Sequence, residues 1–96
     1  MTTVVKDNEG DSRYELWLDG RMIGVAEYVV DADERIFTHT EIDADLREHG
    51  YASQLIQGAL DDMLARSNQR IVAECPYVRE WLEEHPDYSK ALAQAD

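Results

Sequence analysis

Residues 51–66 carry the pattern that most limits what this chain can become. Ala52, Leu55, Ile56, Ala59, Leu60, Met63 and Leu64 recur at i, i+3, i+4, i+7 and i+8, one continuous apolar stripe. Gln54, Gln57, Asp61, Asp62 and Arg66 fall on the other side. A strand cannot gather that set on one face, because its side chains alternate with a period of two. The spacing predicts an amphipathic helix over 51–66 that must lay its stripe on another apolar surface. Gly58 lies inside it and weakens it by about 1 kcal/mol relative to alanine, and Ser67-Asn68 ends it.

The flanks say what that surface is. Residues 35–42, Arg-Ile-Phe-Thr-His-Thr-Glu-Ile, are rich in β-branched and aromatic residues and read as a strand, as do residues 70–74. Strand, helix and strand in succession make a βαβ unit, whose second strand returns parallel to the first by a right-handed crossover. Three more strands are predicted upstream. Residues 2–6 form a short first strand, closed by a turn cluster over 7–12. Residues 13–18 alternate, with Tyr14, Leu16 and Leu18 on one face and Glu15 and Trp17 on the other. Asp19-Gly20 is a two-residue hairpin signal. The chain returns over 21–30, with Met22, Gly24, Ala26, Tyr28 and Val30 on one face and Ile23, Val25 and Val29 on the other. Gly24 marks a bulge or a close contact there. Pro76 fits the first turn of a second helix, in which Val78, Trp81, Leu82 and His85 repeat until Pro86 stops it. Residues 87–95 leave room for one last short helix.

The expected fold is therefore α+β, in one domain over residues 1–96. Strands one to four form an antiparallel meander, strand five lies parallel to strand four, and the two main helices pack mainly on one face. Part of the other face is then exposed or covered by a partner, a second copy of the chain included. Trp17 belongs either to that patch or to the margin of the core.

Composition narrows the function. The formal charge of −12 argues against nucleic acid, whose binding needs clustered Lys and Arg to displace counterions. The same acidity serves solubility, adapts the chain to a salty cytosol, or favours a cationic substrate. No stretch approaches the ~20 apolar residues of a membrane span, and the N-terminus has no signal-peptide pattern. The single cysteine, Cys75, has no partner for an internal disulfide, which fits a reducing cytoplasm. His39, His49, His85 and Cys75 have no metal-ligand spacing, so no metal is expected.

Between the fourth strand and the helix lies Arg47-Glu-His-Gly-Tyr-Ala52, an R-x-x-G-x-A pattern. Gly50 and Ala52 leave the backbone open at a helix N-terminus, where unpaired N–H groups and the positive end of the helix dipole suit phosphate oxygens. With Phe37-Thr-His-Thr-Glu41, Cys75-Pro-Tyr-Val78 and His85-Pro86 in that order, the chain resembles the GNAT superfamily of acetyl-CoA-dependent N-acetyltransferases, in its smallest, single-domain YjdJ type. The resemblance runs from about residue 14 to residue 88. It departs at Glu48, where members commonly carry a second glycine; a carboxylate there works against pyrophosphate. Residues 7–12 are also too short for the helices that the ordinary fold places between its first two strands.

The resemblance implies a fold in which strands four and five splay apart around the pantetheine arm. Thr40, Glu41 and Ile42 would line that arm, and Arg47, Glu48, His49, Gly50, Tyr51 and Ala52 would hold the phosphates of acetyl-CoA. Transfer of the acetyl group to an amine needs a base. His39 and Glu41, two apart on one strand and so on one face, are the candidates, beside the alternatives of a satisfied histidine and a solvated carboxylate. Cys75, between a strand and a helix start, is either a small buried residue or, as the resemblance implies, a neighbour of the cofactor's sulfur. Tyr77 is a candidate acid or a packing residue. Glu74 and the overall acidity speak against a Cys75 thiolate, which favours direct attack of the amine on the thioester. The alternative to an N-acetyltransferase is a non-catalytic CoA-binding or protein-interaction module.

Overall fold

The computed structural model describes residues 2–88. Among them run β1 (Thr3–Asn8), a 3-10 turn (Glu9–Asp11), β2 (Arg13–Leu18), β3 (Arg21–Asp31) and β4 (Glu34–Ile42). A second 3-10 turn (Ala44–Leu46), α1 (Tyr51–Arg66), β5 (Arg70–Ala73) and α2 (Pro76–Glu84) follow. The sheet order is β1-β2-β3-β4-β5, antiparallel up to β4 and parallel between β4 and β5. The expected last helix over 87–95 lies outside the described residues except at positions 87 and 88, which are helical. The first strand runs two residues further than its sequence suggests, because Asp7 and Asn8 pair with Tyr14 and Arg13 instead of turning.

α1 lays Leu55, Ile56, Ala59, Leu60 and Met63 on Tyr14, Leu16, Ala26 and Phe37 of the sheet, all fully buried. Leu64, expected in that stripe, is exposed and lies at the surface beside Asp61, Asp87 and Tyr88. α2 packs against α1: Trp81 is buried and its Nε1 donates to Ser53 Oγ at 2.9 Å. Gly58 has a packing reason. A Cβ there would lie 2.5 Å from Val5 Cγ2, so the glycine lets α1 approach β1.

Two register shifts decide which side chains face where. Between β2 and β3 the pairing steps from Leu16↔Gly24 to Trp17↔Met22, leaving Ile23 as the extra residue. Met22 therefore shares Trp17's face and not Gly24's, which corrects the alternation expected from the sequence. Gly24 is the close contact it promised to be, as a Cβ would meet Ile42 Cδ1 at 2.4 Å. Between β3 and β4 the pairing steps from Glu27↔His39 to Tyr28↔Phe37, so Thr38 is the extra residue. Without that step His39 would oppose Ala26 and point into the core. With it, Phe37 stays inside and His39 stands outside.

The sheet face away from the helices has no second layer among the described residues, yet over β1 to β3 it is not bare. Glu15 is buried there. Its carboxylate accepts from Asn8 Nδ2 at 2.9 Å, Arg13 Nε at 2.9 Å and Trp17 Nε1 at 3.1 Å. Lys6 Nζ stands 4.9 Å from the Trp17 ring centroid, a cation–π contact. Long side chains thus lie across the strands in place of a helix. At the far end of α1, Arg35 donates to Tyr14 Oη at 3.0 Å and to Asp7 at 3.3 Å, while Tyr14 and Tyr28 donate to Asp62 and Asp7. Burial, and the carboxylates they donate to, hold both phenols well above the usual tyrosine range.

Candidate functional site

The site begins where the β4–β5 ladder stops. The parallel pairing ends at Phe37↔Ala73, while β4 runs on to Ile42. The backbone N–H groups of Glu74 and Cys75 both turn in to Phe37 O, at 3.0 and 2.9 Å. Residues 38–42 of β4 therefore present an edge unpaired by β5, and the chain after Cys75 departs as α2. Ala26 pairs with Thr40, which places Thr40 on the helix-bearing face; Glu27 pairs with His39 and Val25 with Glu41, which places these two on the open face. Both are exposed.

Two clefts share Ile42, Arg47, Ala52 and Tyr77. One, of about 280 Å³, also holds His39, Thr40 and Glu41. The other, of about 260 Å³, continues to Leu46, Glu48, Gly50, Tyr51 and Ser53. His49, expected with the loop residues, lines neither; its ring lies 6.0 Å from that of Tyr51. Arg47 is exposed, and its Nε donates to Ile42 O at 3.3 Å, which folds the side chain back over the strand end.

Gly50 is the N-cap of α1, at φ +79°, and no side chain caps the helix start. The first intrahelical bond runs from Gln54 N–H to Gly50 O, so the N–H groups of Tyr51, Ala52 and Ser53 have no intrahelical acceptor. A Cβ built on Gly50 meets nothing within 4 Å. An open cradle of backbone donors at the positive end of a 16-residue helix fits a phosphate group. Glu48 works against it. It sits at φ +70°, a conformation glycine adopts freely, so the departure from the common pattern adds both a carboxylate and backbone strain.

Cys75 is buried at the N-cap of α2, with its Sγ 3.5 Å from Thr40 Oγ1. Burial pushes the thiol up. Hydrogen bonds from Thr40 and from the backbone of Val78, Tyr77 and Thr40 outweigh that and leave it below its ordinary value. The expectation that Glu74 and the overall acidity set the thiol's state thus missed its nearest partners. Tyr77, a candidate acid or a packing residue on the sequence, is exposed and lines both clefts. Burial, with Glu84 and Glu80 nearby, raises its phenol, so it stays protonated at neutral pH. Its place in Cys-Pro-Tyr-Val, one residue after a helix-starting proline, was the signal for it.

A family model described as GCN5-related N-acetyl-transferase matches residues 13–92. Among solved structures, the chain is similar to the ribosomal-protein-S18-alanine N-acetyltransferase from Escherichia coli. The identity is 18%, covering 75% of this chain and 49% of that one, with a TM-score of 0.61. It is also similar to a GCN5-like protein from Staphylococcus aureus whose structure was solved by NMR in solution. There the identity is 20%, covering 92% of this chain and 85% of that one, with a TM-score of 0.66. At these identities the similarity is one of fold. The chain spans about half the length of the Escherichia coli enzyme. Comparison with the curated proteins finds no match.

Proposed function

The chain belongs to the GCN5-related N-acetyltransferase family, and from that premise we propose that it transfers an acetyl group from acetyl-CoA to a primary amine by direct attack on the thioester. The observation that carries the reading is the open edge of β4 beyond Phe37, which leads from Cys75 to the uncapped start of α1. An acyl-pantetheine arm fits along such an edge because backbone groups without a β-partner bond it, and its phosphates fit the amides of Tyr51, Ala52 and Ser53. Thr40, Glu41 and Ile42 flank the arm, with Arg47 between the two clefts.

When bound, acetyl-CoA supplies an activated acetyl group, whose carbonyl carbon gains a bond to the amine nitrogen and loses its bond to sulfur. The chain's own part is to move protons. His39 or Glu41, on the open face, takes the proton that the amine loses. Tyr77, held protonated and lining both clefts, gives one to the departing sulfur. Direct transfer requires amine, base and carbonyl together within about 3–3.5 Å, so it is sequential in kinetics.

A second reading has its own observation. The depressed Cys75 thiol, fed by the Thr40 hydroxyl and two helix-start amides, is the environment of a nucleophile. In that case Cys75 takes the acetyl group and hands it to the amine. Intact mass after incubation with acetyl-CoA alone separates the routes, since an acetyl adduct discharged by amine refutes direct transfer. Calorimetric titration with acetyl-CoA, followed by CoA release against a panel of amines, tests the whole proposal. Binding without turnover would leave a non-catalytic CoA-binding module.

A further inference from the structure

The gap between β4 and α2 is closed at its inner end. The β4–β5 ladder stops at Phe37↔Ala73, and the N–H groups of Glu74 and Cys75 converge on Phe37 O, so the two backbones are joined up to that level. Just beyond it two side chains meet, one from each wall: Thr40 Oγ1 of β4 lies 3.5 Å from Sγ of Cys75, the N-cap of α2. Thr40 is half-buried and lines the cleft of about 280 Å³, whereas Cys75 is buried and lines neither cleft. The thiol also takes hydrogen bonds from the backbone of Val78, Tyr77 and Thr40, and it belongs to the same buried cluster as Leu55 and Val78. The Thr40 side chain therefore rests on packed core, held by a partner that is itself held.

Resting on the reading of this cleft as the acyl-CoA site, with the thioester at its Cys75 end, we propose that the Thr40–Cys75 pair is a stop that limits the transferred acyl group to the length of acetyl. An acetyl group ends against Thr40. Each further methylene has either to enter a close-packed interior or to part β4 from α2, and interiors do not yield such room freely. A pocket shaped to one chain length discriminates against one extra methylene by about 10- to 200-fold. Thr40 stands on the helix-bearing face of β4, while His39 and Glu41 stand on the open face. The choice of acyl chain and the handling of the amine thus belong to opposite sides of one strand.

Calorimetric Kd values of the full chain for acetyl-, propionyl- and butyryl-CoA, with no amine present, test the stop without depending on turnover or on the acceptor. In the wild type Kd should rise roughly tenfold or more from acetyl- to butyryl-CoA, with propionyl-CoA between them. Thr40→Ala removes two heavy atoms, as many as butyryl adds to acetyl, and should bring these Kd values to within about threefold of each other. Thr40→Val, which keeps the shape and loses the hydroxyl, should retain the wild-type ratio. Cys75→Ala removes the other half of the stop and should lower the ratio in the same direction, so the test stands even if Thr40→Ala does not fold. Equal Kd values for the three thioesters in the wild type overturn the inference and leave the acetyltransferase reading untouched, as does an unchanged ratio in Cys75→Ala or a ratio in Thr40→Val as low as in Thr40→Ala. Failure of all three thioesters to bind the wild type overturns both.

Discussion

Replacing Glu48 with glycine should make the protein both more stable and a tighter binder, and the two gains have separate causes. Glu48 is held at φ +70° in the loop before α1. A residue with a Cβ pays about 1–2 kcal/mol for that left-handed conformation. Glycine escapes it but loses about 0.5–1 kcal/mol through the freedom of the unfolded chain. The net gain is about 0.5–1 kcal/mol, or about 2–8 °C in Tm for a domain of this size. The affinity gain comes from the charge. A carboxylate about 7 Å from a phosphate charge costs about 0.6 kcal/mol in water, close to threefold in Kd, and salt screens it over about 8 Å. Glu48→Gln separates the effects, since it removes the charge and keeps the strained backbone. Thermal melts of the free proteins and calorimetry with acetyl-CoA at low and high salt measure both. Glu48→Gly should melt higher than Glu48→Gln, and both should bind more tightly than wild type at low salt only. If the two variants melt together, the strain argument is wrong; if neither changes Kd, the side chain points away from the phosphates.

Gly50→Ala should cost about 1–2 kcal/mol from the φ of +79°, and its methyl, which meets no protein atom, should weaken acetyl-CoA binding by filling the cradle, as calorimetry would register. Gly58→Ala should destabilise by about 1–3 kcal/mol in urea unfolding despite alanine's better helix propensity, because its Cβ would lie 2.5 Å from Val5; a more stable variant would refute the packing argument. Glu15 is held below its ordinary pKa by hydrogen bonds from Asn8, and then Arg13 and Trp17, against the burial that raises it. Its stabilising effect is therefore present above the unfolded value near 4.3 and lost as pH falls through the folded one, so Glu15→Gln should flatten the acid limb of stability followed by Trp fluorescence.

The elements that announced themselves in the sequence are those with a strong local period or a local turn. The stripe from Ala52 to Met63 predicted α1 to the residue, and Asp19-Gly20 made its hairpin with both φ angles positive. The site's frame was readable for the same reason, because the β4–loop–α1 passage is a local sequence. Gly24 signalled the irregularity beside Ile23, as a bulge or a close contact, and both are there. What escaped was the register shift at Thr38, since nothing in the alternation of residues 35–42 betrays an extra residue and the choice is made by the partner strand. The pairing of His39 with Glu27 was therefore invisible. The burial of Glu15 escaped too, since a lone glutamate in a strand reads as solvated until Asn8, Arg13 and Trp17 are brought around it.

The sheet's strands lie in the order in which they occur in the chain. Each of the first three pairings joins neighbours across a short turn, so loop closure costs little entropy and the meander can zip hairpin by hairpin, in about 1–10 μs for each. Only the β4–β5 pairing must wait for a crossover, since Arg35 meets Ile71 across the whole of α1. The order of assembly follows. β5 and α2 are expected to arrive after the rest, bringing Cys75 and Tyr77 with them. Until they dock, the edge of β4 is open along its length; in the native ensemble the same segment is the first expected to lift off, which native-state hydrogen exchange would report as weak protection over residues 70–73.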